Sequence, residues 1–291
     1  MTRFEGFDTV TLDAPRGPIH ARRGGSGPPL LLLHGFPQTH LMWHAVAPRL
    51  AGSFTVYAVD LPGYGESFRP PVSEDHFNHS KRAWAADLVA AMPHERFGVI
   101  GHDRGGRVAY RMALDHPDVV TQLAILDIVP TGELWEHADD KLSIGYWHWG
   151  FLAQAAPLPE RLINGDPGGF WIAAERMGIG NRPEAFPDAV VAEYRRWADD
   201  PATVEAWCED YRAGATIDRA IDAEGGTIAC PVRVLWGAHG ALPIFYADPL
   251  ALWRSIAPEA TGRGIDGGSH FLAEDEPDVV ADDLLAFLSR A

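Results

Sequence analysis

The chain contains 291 residues, of which 46% are hydrophobic and 22% charged, and its formal net charge is −16. This acidity argues against nucleic acid or an anionic membrane as partners, because like charges repel. No stretch reaches the roughly 18 apolar residues that a membrane helix needs, and no secretion signal is recognised. Only Cys208 and Cys230 are present, which predicts free thiols and a cytoplasmic location.

Short apolar runs that end in turn residues recur along the chain. They cover residues 30–33, 55–59, 97–100, 123–126 and 232–236. Continuous apolar runs of this length predict strands buried on both faces of a parallel sheet. Helical patterns lie between them, for example at 82–91 and 107–115, so we expect an α/β fold with a doubly wound, mostly parallel sheet. In such sheets ligands bind beyond the carboxyl ends of the strands.

Residues 131–215 break the alternation, because they show helical patterns and no clear strand. Six of the ten tryptophans fall in this stretch, namely Trp135, Trp147, Trp149, Trp171, Trp197 and Trp207. We interpret the stretch as a helical cap inserted into a core formed by residues 1–130 and 216–291. Most of these tryptophans are expected to fill the small core of the cap.

The strongest local motif is GHDRGG at residues 101–106, which follows a predicted strand and begins a helix. A strand, a glycine-rich turn and a helix are the context of a nucleophile elbow. The residue at the apex is Asp103, where serine is usual. A carboxylate is ionised at neutral pH and can attack an sp3 carbon without a base. The motif therefore predicts Asp103 as a nucleophile that forms an ester, which water then hydrolyses.

Taken together, the motifs resemble the α/β-hydrolase superfamily over essentially the whole chain, and within it the haloacetate (fluoroacetate) dehalogenases. HGFP at 34–37 resembles the oxyanion loop of that family, and DLPGYGES at 60–67 resembles its turn after the next strand. GHDRGGR at 101–107 matches the elbow with both arginines, and YWHW at 146–149 resembles the segment that receives the halide. The resemblance implies hydrolysis of haloacetate, fluoroacetate included, to glycolate and halide, and a homodimer.

The second step of that chemistry needs a general base, and His270 is the candidate. It lies in GGSHF at 267–271, before the last amphipathic helix, and fits the chain order nucleophile, acid, histidine. Asp127, directly after the predicted strand 123–126, is the acid expected to orient it, although a capping role is the alternative. The position after the next strand reads WGAHG at 236–240 and offers no carboxylate, and Asp266 is the second candidate.

Backbone N–H groups of Phe36 and Arg104 are expected to form the oxyanion hole. The side chains of Arg104 and Arg107 are predicted to bind the substrate carboxylate, because guanidinium groups match carboxylates in geometry and charge. Ion pairs with Asp or Glu are the alternative for both. No ligand cluster or dinucleotide glycine pattern is present, so neither a metal nor an organic cofactor is expected.

Halide departure needs hydrogen-bond donors, and the resemblance assigns this role to His148, Trp149 and a later tyrosine, which we place at Tyr211. Tyr146 competes with Tyr211 for that position. Trp147 is expected only to pack, and packing is also the alternative for the other three.

Three rival functions follow from the same fold. An epoxide hydrolase shares the Asp and His chemistry, but those enzymes usually carry Trp after the nucleophile, where this chain has Arg104, and two lid tyrosines. A haloalkane dehalogenase takes neutral substrates, which would leave both arginines without a partner. A non-catalytic ligand-binding protein would not need Asp103, Asp127 and His270 together.

Overall fold

The computed structural model describes residues 4–179 and 182–289. Its sheet has eight strands in the order β1-β2-β4-β3-β5-β6-β7-β8. The strands are β1 Asp8–Ala14, β2 Gly17–Gly24, β3 Pro29–Leu33, β4 Thr55–Val59, β5 Phe97–His102, β6 Val120–Leu126, β7 Val232–Gly237 and β8 Thr261–Ile265. The β1–β2 and β2–β4 pairs are antiparallel and the other five are parallel, so the predicted mostly parallel α/β sheet is confirmed.

Helices connect and flank these strands. Their bounds are α1 Ala47–Leu50, α2 Lys81–Ala91, α3 Asp103–Asp115, α4 Thr131–Glu136, α5 Asp140–Gly145, α6 Trp147–Leu152, α7 Leu158–Gly165, α8 Pro167–Arg176, α9 Asp188–Ala198, α10 Pro201–Ala215, α11 Ile217–Asp222, α12 Leu242–Phe245, α13 Pro249–Trp253, α14 Leu272–Asp275 and α15 Pro277–Leu288. Short 3-10 turns occupy His40–Trp43 and Phe77–His79.

The central strands are mostly apolar because both faces of the sheet are covered there. Along β3, Leu31 and Leu33 join the core on one side of the sheet, whereas Leu30 and Leu32 join the core on the other side. This division follows from the two-residue period of a strand, which points successive side chains to opposite faces. The carboxyl ends of these buried strands form one edge of the sheet, and the site described below lies there.

Between the end of β6 and the start of β7, the described residues contain the helices α4 to α11 and no strand. The helical run continues to Asp222, beyond the predicted boundary at residue 215. Trp171 and Trp207 are buried within this region, whereas Trp147 is 45% exposed. The division into core and cap domains stays a prediction.

Two further expectations concern the thiols and the membrane. Cys208, buried in α10, and Cys230 are both free, as predicted. Within the described ranges, no helix combines the length and the apolar character that crossing a bilayer requires.

Candidate active site

Asp103 occupies a sharp turn between β5 and α3. Its φ is +44°, a left-handed conformation that is uncommon outside glycine. The turn needs glycine nearby: a Cβ on Gly105 would lie 2.3 Å from the backbone oxygen of His34, and one on Gly101 would lie 2.5 Å from that of Gly105. The backbone therefore holds the Asp103 side chain at the apex of the elbow, beyond the end of β5.

The Asp103 carboxylate is buried but electrostatically stabilised. The backbone N–H of Phe36 donates to its Oδ2 at 2.9 Å. Burial by itself raises the pKa of Asp103, but the nearby His270, His102 and two arginines outweigh burial and hold the pKa below its usual value. Asp103 is therefore ionised at neutral pH. The backbone N–H of Arg104, the second predicted oxyanion donor, lies in the first turn of α3, where N–H groups lack helical acceptors.

His270 and Asp127 form a close pair next to Asp103. The Nδ1 of His270 lies 2.6 Å from Oδ2 of Asp127, whose Oδ1 accepts the backbone N–H of Gly237 at 2.9 Å. Burial lowers the pKa of His270, but the hydrogen bond and charge of Asp127, with the charge of Asp103, outweigh it and raise the pKa. Because Nδ1 faces Asp127, Nε2 is the nitrogen left to take a proton from water.

Asp266, the second candidate for the acid, is not beside His270. Its side chain is 99% exposed and pairs with His239 at 3.0 Å. Asp127 is fully buried and, like Asp103, adopts a positive φ, +53°. The structure thus brings Asp127, rather than Asp266, to His270.

A second imidazole, which the sequence analysis did not single out, supports the loop that carries His270. The ring centroids of His102 and His270 are 4.7 Å apart, and Nε2 of His102 lies 2.7 Å from the backbone oxygen of His270. Burial lowers the pKa of His102 to about 3, so the ring is neutral and its Nε2–H donates to that oxygen. His102 precedes the elbow apex in sequence, which is the only signal that could have suggested it.

Arg107 lies at the active-site cavity with unused donor capacity. Its Nη1 donates to Thr131 Oγ1 at 2.9 Å and to the backbone oxygen of Val129 at 3.2 Å. The guanidinium lies 4.6 Å from the centroid of a Trp149 ring, and its buried Nε has no hydrogen-bond partner. Among the described residues, no carboxylate lies within 4.0 Å of Arg107. A bound anion could therefore be its counter-ion.

Arg104 is held differently. Its Nε donates to Oδ2 of Asp210 at 3.0 Å, and its Nη2 donates to Oδ1 and, at 2.8 Å, to the backbone oxygen of the same residue. The arginine is completely buried, with Nη1 as its one nitrogen lacking a partner within the described ranges. The ion-pair alternative raised for the two arginines thus applies to Arg104, and the sequence analysis missed Asp210.

Three aromatic donors from the helical region line the same cavity as Asp103, and we call His148, Trp149 and Tyr211 the donor cluster. The Tyr211 ring centroid lies 5.9 Å from that of His148 and 5.4 Å from that of Trp149. Within the described part of the chain, none of their polar atoms bonds to protein. Burial lowers the pKa of His148 to about 4 and raises that of Tyr211. At neutral pH the cluster therefore offers uncharged N–H and O–H donors.

Both candidate tyrosines reach the same cavity. Tyr146 also lines it, with its ring centroid 5.8 Å from that of His148, whereas Trp147 is not among the lining residues. Location therefore does not distinguish Tyr211 from Tyr146 as the predicted halide donor, because both side chains line the cavity.

The cavity has a volume of about 330 Å³. One part of its wall consists of Asp103, Arg107, His270 and the donor cluster. The rest is largely apolar and includes Ile128, Leu134, Leu242, Ile244 and Phe245. The sequence analysis did not identify these apolar residues, because nothing distinguishes them from ordinary core positions before the chain folds.

One group of metal-ligating side chains occurs among the described residues. Ligand atoms of His20, His40 and Asp60 lie within 4.8 Å of one another. Asp60 already accepts the backbone N–H groups of His40 and Glu66, so the group has a structural explanation. None of the three lines the cavity of Asp103.

Comparison with known proteins agrees with this geometry. Residues 28–164 match the alpha/beta hydrolase fold family. Fluoroacetate dehalogenase from Burkholderia sp is 42% identical, with 99% of this chain and 96% of the relative covered. Soluble epoxide hydrolase from Corynebacterium sp. (strain C12) is 32% identical, with 93% of each chain covered.

Solved structures give the same result over the full length. A candidate alpha/beta hydrolase from Nostoc sp PCC 7120 superposes with a TM-score of 0.94 at 44% identity, covering 99% of this chain and all of the other. A candidate epoxide hydrolase from Pseudomonas aeruginosa, solved as a mutant with bound MFA, gives 0.91 at 42% identity, with 99% and 98% covered. The predicted resemblance is confirmed, and the chain belongs to the α/β-hydrolase superfamily, with a fluoroacetate dehalogenase among its near relatives.

Proposed function

We propose that this protein hydrolyses the carbon–halogen bond of haloacetates, fluoroacetate included, through an ester on Asp103. One observation carries the proposal: an ionised carboxylate at a nucleophile elbow shares a cavity with Arg107, which lacks a carboxylate partner among the described residues, and with the donor cluster. A small acid bearing a leaving group on its α-carbon matches this set. The relative named a fluoroacetate dehalogenase supports the same substrate class.

In the first step, Oδ1 of Asp103 attacks the α-carbon, because Oδ2 already accepts the N–H of Phe36. The new C–O bond forms as the carbon–halogen bond breaks, and the halide leaves with the bonding electrons. His148, Trp149 and Tyr211 donate to the departing halide, whose charge is most concentrated for fluoride. Arg107 holds the substrate carboxylate and fixes the α-carbon against Oδ1.

In the second step, Nε2 of His270 takes a proton from water, and the water oxygen attacks the ester carbonyl carbon of Asp103. Negative charge then develops on Oδ2, which the N–H groups of Phe36 and Arg104 stabilise. The intermediate collapses, the bond between Cγ of Asp103 and the ester oxygen breaks, and the protonated His270 returns a proton to that oxygen, which leaves as the hydroxyl group of glycolate. The Asp103 carboxyl, which now carries the oxygen and the second proton of the water, loses this proton to solvent and is a carboxylate again. Asp127 stabilises the imidazolium during this step.

The test is halide release from fluoroacetate and chloroacetate, measured with glycolate formation in the same reaction. We expect equal amounts of halide and glycolate, and none from Asp103→Asn. Asparagine tolerates the positive φ of this position and cannot attack as a carboxylate, so the variant should fold and be inactive. If the wild-type protein released halide from neither acid, the proposal would be wrong.

An epoxide hydrolase is the second candidate, because Tyr146 and Tyr211 both line the cavity and could protonate an epoxide oxygen. The Corynebacterium relative supports this alternative. A neutral epoxide would leave the buried charge of Arg107 without a counter-ion, which disfavours it. Diol formation from styrene oxide at a rate above that of chloroacetate hydrolysis would make this the better assignment.

The cytoplasmic location and the homodimer stay predictions. Neither a metal nor an organic cofactor takes part in the proposed steps.

A further inference from the structure

The active-site cavity is larger than a haloacetate. Its volume of about 330 Å³ lies at the lower end of the range of about 300–1,000 Å³ that holds drug-sized ligands. A water molecule, with its single non-hydrogen atom, takes about 30 Å³ in the liquid, so the five non-hydrogen atoms of chloroacetate need about 150 Å³. Roughly half of the cavity is therefore not used by the substrate proposed above.

Much of the cavity lining outside the reacting groups is apolar. It includes five residues that we call the apolar wall, namely Ile128, Leu134, Leu242, Ile244 and Phe245. Leu134 and Leu242 are each 1% exposed, whereas Ile244 is 69% exposed and marks the end of the wall nearest to solvent. These side chains carry no hydrogen-bonding groups, so water beside them has few partners, and its displacement by an apolar group of a ligand is favourable.

The directions around the reacting carbon show where a larger substrate would extend. The α-carbon of a 2-haloacid carries a carboxylate, a halogen and two further groups, and both further groups are hydrogen in a haloacetate. In the proposed complex the carboxylate lies at Arg107 and the halogen at the donor cluster. The apolar wall begins beside them, since the Phe245 ring centroid lies 5.0 Å from that of Tyr146, which itself lies 5.8 Å from that of His148. A further group on the α-carbon can therefore extend along the apolar wall.

We propose that the apolar wall binds the α-substituent of larger substrates, so that the substrate class includes 2-haloalkanoates with an unbranched side chain of about four carbons. At the density of a liquid, the unused half of the cavity has room for about four or five CH2 groups. This inference rests on the proposed function, because the same attack by Asp103 begins the reaction. It adds a second binding region, which selects the side chain while Arg107 binds the carboxylate.

The reaction of a 2-haloalkanoate follows the two proposed steps. Oδ1 of Asp103 forms a bond to the α-carbon as the carbon–halogen bond breaks, and the halide leaves with the bonding electrons on the opposite side, so the configuration of that carbon inverts. Water then cleaves the ester between Cγ of Asp103 and the ester oxygen, which leaves the α-carbon untouched. Because the carboxylate and the halogen have fixed places, only one enantiomer directs its side chain to the apolar wall.

The first test compares 2-chloropropionate, 2-chlorobutanoate and 2-chlorohexanoate as single enantiomers. All three react at a secondary carbon, so their intrinsic reactivities are alike and the binding of the side chain is the main difference. Each buried CH2 group strengthens binding by about fourfold. For the better enantiomer we expect kcat/KM to rise at least about tenfold from the shortest acid to the longest, and the other enantiomer to react at least about tenfold more slowly. A constant or falling kcat/KM along the series, or equal rates for both enantiomers, would overturn the proposal.

Binding of the products, measured by calorimetry, does not depend on turnover. We expect 2-hydroxyhexanoate to bind at least about tenfold more tightly than glycolate. Equal affinities in a protein that releases halide from chloroacetate would refute this inference and leave the proposed function standing. Tighter binding of 2-hydroxyhexanoate by a protein that releases no halide from any of these acids would contradict the proposed function, while the apolar wall would stand as a binding region.

Ala241→Phe tests the location of the side-chain site, with Ala238→Phe as the matched control. Ala241 is half-buried and lines the cavity beside Leu242, whereas Ala238 is exposed and lies outside the lining. A phenyl ring at position 241 takes up part of the space along the apolar wall. We expect the ratio of kcat/KM for 2-chlorohexanoate to that for chloroacetate to fall at least about tenfold in Ala241→Phe and to keep the wild-type value in Ala238→Phe.

A ratio between two substrates is independent of the fraction of protein that is folded, so a loss of stability alone does not produce this result. An unchanged ratio in Ala241→Phe, or an equal fall in Ala238→Phe, would show that the side chain does not bind along the apolar wall. If Ala241→Phe does not fold, the series of acids and the binding of 2-hydroxyhexanoate, both measured on the wild-type protein, decide the question.

Discussion

The two sides of the cavity are built by different means. On the sheet side, Asp103, Asp127 and His270, which we call the catalytic edge, are fixed by backbone geometry. Asp103 and Asp127 adopt positive φ angles, and backbone N–H groups of Phe36 and Gly237 hold their carboxylates. On the other side, the donor cluster is placed by ring packing, and its polar atoms make no protein hydrogen bond within the described ranges.

This difference predicts which substitutions affect the chemical steps and which affect the preference among halides. In the catalytic edge, Oδ2 of Asp103, both oxygens of Asp127 and Nδ1 of His270 are hydrogen-bonded, so a small displacement would break several contacts at once. The donor cluster keeps its N–H and O–H groups free for a ligand, so its geometry can adjust with the packing of the helices. We therefore expect substitutions at the catalytic edge to abolish chemical steps, and substitutions at the cluster to change the preference among halides.

The largest effect is expected for His270→Asn. Asp103 can still attack, but no base activates the water for the second step, so the ester should accumulate. One equivalent of halide should appear per active site and turnover should then stop, which halide measurement and the intact mass of the protein would reveal. Continued turnover at the wild-type rate would show that another group supplies the base.

Asp127→Asn should lower kcat by roughly 10³- to 10⁴-fold, by analogy with loss of the acid in a catalytic triad. It should also shift the pH profile. The pKa of His270 is raised in the wild type, mainly through Asp127, so kcat should fall as pH drops through a value above 6.5, where His270 becomes protonated. Without Asp127 the acid limb should move to lower pH. If the acid limb of the profile of kcat against pH did not move in this variant, a group other than His270 would be responsible for that limb.

Arg107→Met should raise KM for chloroacetate about ten- to a hundredfold, because one charge-assisted contact with the substrate carboxylate is lost. Methionine keeps much of the length of the side chain and its packing against Trp149. Steady-state kinetics would measure the change, with Arg111→Met, another buried arginine of α3 that does not line the cavity, as the control. Equal effects of both substitutions on KM would indicate a general loss of structure instead of the loss of one contact with the substrate carboxylate.

The smallest effect is expected for Tyr211→Phe, which removes one O–H donor and keeps the ring. We expect fluoride release to slow by about tenfold, the value of roughly one hydrogen bond, and chloride release to slow less. Tyr146→Phe is the matched comparison, because Tyr146 lines the same cavity. The variant with the larger difference between fluoroacetate and chloroacetate identifies the tyrosine that receives the halide.

The proximity of Asp103, Asp127 and His270 could be predicted because each of them lies near a signal that local sequence carries. Asp103 and Asp127 follow apolar strands directly, and His270 precedes a helix, so strand order alone brings them to one edge of the sheet. The edge strand β1 was not predicted, because it is mostly exposed and lacks a continuous apolar run. The strand β8 was missed for a similar reason, since its sequence TGRGI contains little apolar surface.

The pairing of Arg104 with Asp210 could not be predicted in the same way. The two residues are 106 positions apart, and their contact depends on how α10 packs against α3. The same holds for the apolar wall of the cavity, where Leu134 and Leu242 come from distant parts of the chain. The residues of the donor cluster were predicted from the resemblance to the dehalogenases, because ring packing of this kind has no local sequence pattern.

Isotope labelling in a single turnover tests the central claim most directly. The protein in excess over chloroacetate is placed in water enriched in ¹⁸O, and both glycolate and the peptide that contains residue 103 are analysed by mass. Because water attacks the carbonyl carbon of the Asp103 ester, we expect the label in the Asp103 carboxylate and unlabelled oxygen at the new hydroxyl of glycolate. Label found only in glycolate would mean that water attacks the substrate directly, and the ester mechanism would be wrong.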